Sequence, residues 1–145
     1  MEKVSAEELF AAARPLTNED RRRSHYVNNA LDLGLTNYRI ISLKEIMGSG
    51  LLERLCAEES GAKYIVKFIN EQGECLVIGN MVGTVPVSLV VRSLKEKRFS
   101  VYGSFPFYGF GMLRPDFKYG DRVVLVEGVL DRDSFLPLFP DVLVS

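Results

Sequence analysis

Arg122-Val-Val-Leu-Val-Glu-Gly-Val-Leu-Asp131 is the stretch whose reading decides the fold. Gly120-Asp121 turns the chain into a short apolar run. A β-branched run bounded by turn residues suits a strand buried on both faces, as in a parallel sheet. The strand stops at Glu127-Gly128, the next residues up to about 138 read as a short helix, and 141–144 read as a second strand. That is a βα unit with the start of its next strand, the opening of a parallel sheet. Ligands of open α/β sheets collect at the carboxyl ends of strands. A carboxylate at Glu127, with glycine beside it for close backbone approach, suits a divalent cation or a proton transfer. The plainer reading is a glutamate that happens to close a strand and an aspartate, Asp131, that caps the next helix.

Working back from there, 103–111 packs four aromatic residues among glycine, serine and proline, either a base-stacking surface or a buried plug over a sheet edge. Phe99-Ser-Val-Tyr102 and Val87-Ser-Leu-Val-Val-Arg92 read as strands joined by the basic turn 93–98. Pro86 demotes 79–86 to an edge or loop. Tyr64-Ile-Val-Lys-Phe-Ile69 and Glu74-Cys-Leu-Val-Ile78 read as two further strands, with Asn70-Glu-Gln-Gly73 as their hairpin loop.

Before Lys63 the period is helical. Ser5 caps a helix over 5–14, with Glu8 placed as in a capping box, and Pro15 ends it. Thr17-Asn-Glu-Asp20 starts a second helix that runs to about 33 and stops at Gly34. Residues 35–38 read as a linker. Ser42-Leu-Lys-Glu45 opens another helix, Gly48-Ser-Gly50 breaks it, and 51–59 resumes it with Leu52, Leu55 and Cys56 on one side. Arg21-Arg22-Arg23 points around most of a helix and reads as a solvated, salt-bridged surface. His25 reads as a surface or packing residue and both cysteines as packing residues, since none has an activating context.

The predicted fold is therefore α+β: N-terminal helices over 1–61, a basic and mostly antiparallel β-rich part over 62–118, and the opening of a parallel sheet over 119–145. A formal net charge of −1 excludes a broadly basic nucleic-acid binder and leaves only a local patch. Two cysteines, no apolar signal core and no run long enough to span a membrane point to a soluble protein of the reducing cytoplasm. Two distant cysteines and one histidine make no zinc site.

Val-Val-Leu-Val-Glu-Gly-Val-Leu-Asp resembles the first motif of Toprim domains, a hydrophobic strand followed by Glu-Gly-x-x-Asp. Ahead of it come a strand pair, a strand ending at Arg92, a Lys-led basic patch at Lys97-Arg-Phe-Ser100 and an aromatic-glycine element at Tyr108-Gly109. In that order they are similar to the N-terminal part of the RNA-polymerase core of bacterial and phage-type DNA primases. The resemblance covers roughly residues 63–145. It implies a Toprim-like parallel sheet, synthesis of RNA primers on a single-stranded DNA template from nucleotides, and Mg²⁺ or Mn²⁺ as cofactor. It further implies Glu127 as general base or metal ligand, Asp131 as its support, and Arg92, Lys97 and Arg98 as the surface that handles phosphates. A replicative helicase is the partner it suggests, in the cytoplasm, or the host cytoplasm for a phage protein.

The chain departs from the pattern at Lys97-Arg-Phe-Ser100, which lacks the family's second-place aromatic and its asparagine. Asp131-Arg-Asp133 has the spelling of the second acidic motif but comes too early to be it, so this chain alone is expected to be inactive. The alternatives are a non-catalytic module that binds single-stranded nucleic acid or a replication partner, and a Toprim nuclease fragment.

Overall fold

The computed structural model describes residues 3–58 and 62–103 and, beyond them, two short paired strands at 123–124 and 143–144. Ser5 starts the first helix, α1 (Ala6–Ala12): its Oγ accepts from the Glu8 N–H at 3.1 Å. The Glu8 carboxylate does not close the capping box. It accepts from Arg54 Nη1 at 2.6 Å and so ties α1 to α4 (Leu52–Ala57).

The single helix expected over 17–33 is two. A 3₁₀ helix over Asn18–Arg22 is capped by Thr17 and Asp20, and α2 (His25–Asp32) starts afresh where the Ser24 hydroxyl accepts from the Tyr26 N–H. Ser24 is extended, with φ −167°, so the helical path stops there despite good helix formers on both sides. Gly34 ends the segment as expected, in the left-handed region that favours glycine. α3 (Leu43–Gly48) opens at Ser42 as the sequence predicts, through a Ser42–Glu45 capping box.

The largest correction lies at 62–72. Tyr64-Ile-Val-Lys-Phe-Ile69 is not a strand, and 70–73 is not a hairpin loop. The segment forms a helix, α5 (Ala62–Gln72), with Ala62, Ile65, Phe68, Ile69 and Gln72 buried at helical spacing while Tyr64 is 61% exposed. β-Branched and aromatic residues favour strands only weakly, and a continuous apolar face against a core overrides that preference.

One sheet carries the rest. β1 (Arg14–Pro15), β2 (Tyr38–Ile41), β3 (Cys75–Val82), β4 (Val85–Ser93) and β5 (Phe99–Tyr102) pair in that order, every pair antiparallel. β2 is unannounced by the sequence: residues 35–38, expected as a linker, lead directly into it. Pro86 lies inside β4 opposite Met81, next to a register irregularity. Pairing with β5 begins only at Leu89, so at Pro86 the strand has a neighbour on one side.

Both faces of the sheet are covered. Ile41, Cys75, Val77, Leu89 and Val91 join Leu9, Ile46, Leu55, Ile65 and Ile69 in the main core, under α1 and α3–α5. Tyr38, Ile40, Leu76 and Ile78 face Val27 and Ala30 of α2 in a smaller one. Residues on either side of position 61 therefore share one sheet and one core.

The fold is α+β, as the sequence predicts. The antiparallel sheet lends no support to a Toprim-like parallel one, because short connections such as Gly83-Thr84 return the chain antiparallel. Among the described residues, parallel pairing is confined to β6 (Val123–Val124) with β7 (Leu143–Val144). No helix among the described residues is long and apolar enough to cross a membrane.

Gly103 leaves β5 with φ +111°, and a β-carbon there would stand 2.8 Å from Ser88 Cβ and 3.1 Å from the Val87 carbonyl oxygen. Gly103→Ala is expected to cost about 2 kcal/mol, read as a lower denaturant midpoint. An unchanged midpoint would refute a tight approach at this corner.

Candidate nucleic-acid interface

Arg92 sits between Leu76 of β3 and Phe99 of β5 in the sheet register. Its side chain points to the α2 face, where the guanidinium lies 4.6 Å from the Tyr26 ring centroid and Nη2 is 3.4 Å from the Tyr26 hydroxyl. The His25 ring lies against the other partner of this stack, 3.9 Å from the Tyr26 centroid. A cation over an aromatic face is attracted by the ring quadrupole, so Arg92 is held as much by α2 as by the sheet.

The turn after β4 is built by side chains. Ser93 Oγ accepts from the N–H groups of Lys95 (3.0 Å) and Glu96 (3.2 Å) and donates to Gln72 Oε1 at the end of α5. Gln72 Nε2 in turn donates to Glu96 Oε1. Lys97 and Arg98 are exposed on this turn; Arg98 lies 5.7 Å over the Phe68 ring of α5 and 4.0 Å from Glu96.

Arg92 thus turns toward α2 and Arg98 toward α5, with the sheet between them. The fold does not gather Arg92, Lys97 and Arg98 into one patch. Alternate residues of a strand face opposite ways, and a tight turn redirects the chain again. Glu127 and Asp131 lie outside the described residues.

A cluster that sequence order conceals lies near the start of β3. The buried Asp20 carboxylate takes two hydrogen bonds from Arg14, at 2.9 Å each, and others from the Thr17 N–H and hydroxyl. The Arg14 guanidinium above all holds the Asp20 carboxyl down at about 2, and the pairing raises Arg14 in turn. Glu74 Oε2 accepts from Arg23 at 2.9 Å and Arg14 at 3.3 Å, and Arg23 keeps its pKa below the ordinary value. Arg21 pairs with Asp32 at 2.6 Å, so two members of the arginine triplet are salt-bridged as expected. Burial pushes the Cys75 thiol up to about 11, leaving it an inert packing residue. Cys56, expected to pack as well, is exposed; its neighbour Leu55 fills the core instead.

Beside this cluster lies an open depression of about 480 Å³, lined by Arg23, Ser42, Lys44, Asn70, Glu74 and Lys95 among others. Sequence reasoning missed it because no two of its cations are neighbours in the chain. The only local signal was Gly73-Glu74, which breaks the apolar run between α5 and β3.

No family model, curated protein or solved structure matches this chain.

Proposed function

We propose that the chain is the N-terminal part of a primase-type RNA-polymerase core, whose intact form makes RNA primers on single-stranded DNA in the cytoplasm, beside a replicative helicase. The observation that carries this reading is Glu127-Gly-Val-Leu-Asp131, which stands between two strands, β6 and β7, that pair in parallel. Parallel neighbours need a long crossover, the arrangement of a Toprim opening. β4, which carries Arg92 next to its end at Ser93, and a turn exposing Lys97 and Arg98 precede it in the implied order, while the first strand of the strand pair that the resemblance implies is replaced by α5.

On this reading Glu127 acts as base or metal ligand and Asp131 supports it. Two carboxylates are hard oxygen donors suited to Mg²⁺ or Mn²⁺, and such an ion, when bound, neutralises charge developing on the transferred phosphoryl group. Lys97 and Arg98 attract template or nucleotide phosphates through charge, without reading bases. Arg92, fixed on Tyr26, stiffens the sheet end that carries the basic turn.

Isothermal calorimetry with Mn²⁺ tests the reading. Weak binding by the wild type, lost in Glu127→Gln, is the expected result. Binding that survives the substitution, or none in either protein, would count against it.

Exposure of Lys97 and Arg98, with no carboxylate at hydrogen-bond distance among the described residues, favours a second reading: a non-catalytic single-strand binding module. Oligonucleotide binding that depends on Lys97 and Arg98 but ignores both Glu127→Gln and metal would select it.

A further inference from the structure

At one end of the sheet, Ile41, Cys75 and Ser93 lie side by side on β2, β3 and β4. The segment into α3, the exit from α5 and the turn after β4 meet there and wall the 480 Å³ depression. Arg23, Lys44 and Lys95 line it, and among the described residues Glu74 is the one lining carboxylate. That carboxylate is already taken by Arg23 and Arg14. Neither lysine ammonium has an ion-pair partner among the described residues. Lys95 is exposed, and its Nζ lies near Gly73: a β-carbon there would stand 3.7 Å from it. Gly73 has φ +81°, so a side chain there would be strained. The carboxyl end of α5 favours a cation at this point, where Lys95 lines the depression.

We propose that this groove binds the phosphate group of a nucleotide or of a single-stranded nucleic acid. One ammonium would match a carboxylate. Two, beside an arginine locked in place by Glu74, match a group with more charge and more acceptor oxygens. Lysine ammoniums bind phosphate as compact point charges, and Asn70 adds an amide to the wall. The volume lies within the span of roughly 300–1,000 Å³ usual for small-molecule sites. None of these residues belongs to the primase reading, so the inference stands or falls apart from it.

The test is fluorescence anisotropy of a labelled oligothymidylate, with ATP as competitor, across a salt series. Lys44→Gln/Lys95→Gln is expected to weaken binding about tenfold and to flatten the log–log salt slope by about 1.4, two phosphate contacts at about 0.7 each. Lys63→Gln/Lys67→Gln, the same charge change on exposed positions of α5, should alter affinity by less than about twofold. Each single lysine change should give about a threefold loss, which keeps the test valid if the double variant does not fold. Displacement of the oligonucleotide by ATP assigns the groove to free nucleotide; failure of ATP to displace it assigns the groove to a strand. Equal losses in the two double variants, or no wild-type binding of either ligand, would overturn the proposal.

Discussion

Ile69→Ala is expected to cost about 3–4 kcal/mol of stability, while Tyr64→Ala on the same helix costs less than about 0.5 kcal/mol. Ile69 is fully buried in the main core, on the helix that meets α3, α4 and β5. Truncating it removes the transfer energy of the lost methyl and methylene groups and leaves a cavity that surrounding helices cannot close. Tyr64 projects from the opposite side and is largely exposed. Lys67→Gly, at an exposed helix-interior position, should add a loss of about 1 kcal/mol, the glycine penalty of a helix. Urea unfolding midpoints check all three. An Ile69→Ala protein within about 1 kcal/mol of wild type would sink the assignment of this helix to the core.

Asp20→Asn is expected to cost about 2 kcal/mol at neutral pH, and most of that cost should vanish in acid. The carboxylate accepts from Arg14 through both oxygens and from Thr17, and the charged form is favoured enough to hold its pKa near 2 against an ordinary 3.8. A depressed carboxyl pKa means that the unfolded chain binds the proton more readily than the folded one. The stabilisation is therefore complete above about pH 4 and is lost as pH falls through about 2. Glu74, lowered mainly by Arg23, contributes in the same direction. Wild-type stability should drop steeply across that window, and the Asp20→Asn curve should be flatter. Parallel curves for the two proteins would remove Asp20 from the account of acid sensitivity.

Local signals were legible wherever a few adjacent residues settle a backbone choice. Ser5, the Ser42–Glu45 pair and Gly34 mark helix ends as their chemistry dictates. The apolar runs at 74–78, 87–92 and 99–102 read as strands, and strands form there, the first starting at Cys75. The reading failed where partners lie far along the chain. Arg39 is one example: its guanidinium donates to the Phe10 and Ala13 carbonyls and lies over the Phe10 ring, anchoring β2 to α1 across about thirty residues. Nothing in Tyr38-Arg-Ile-Ile41 taken alone announces that role.

The sequence by itself determined the α+β class, the helix starts at Ser5 and Ser42 and the strands at 74–78, 87–92 and 99–102, because each local choice rests on residues close together in the chain. Only the tertiary structure decided that 62–72 is a helix, that 38–41 completes the sheet, and that Arg92 and Arg98 part company across it. It alone brought Arg23, Lys44 and Lys95 around one groove. The reason is physical: an apolar run says that it must be buried, but which face, period and neighbours it takes depends on the surface the rest of the chain offers for burial.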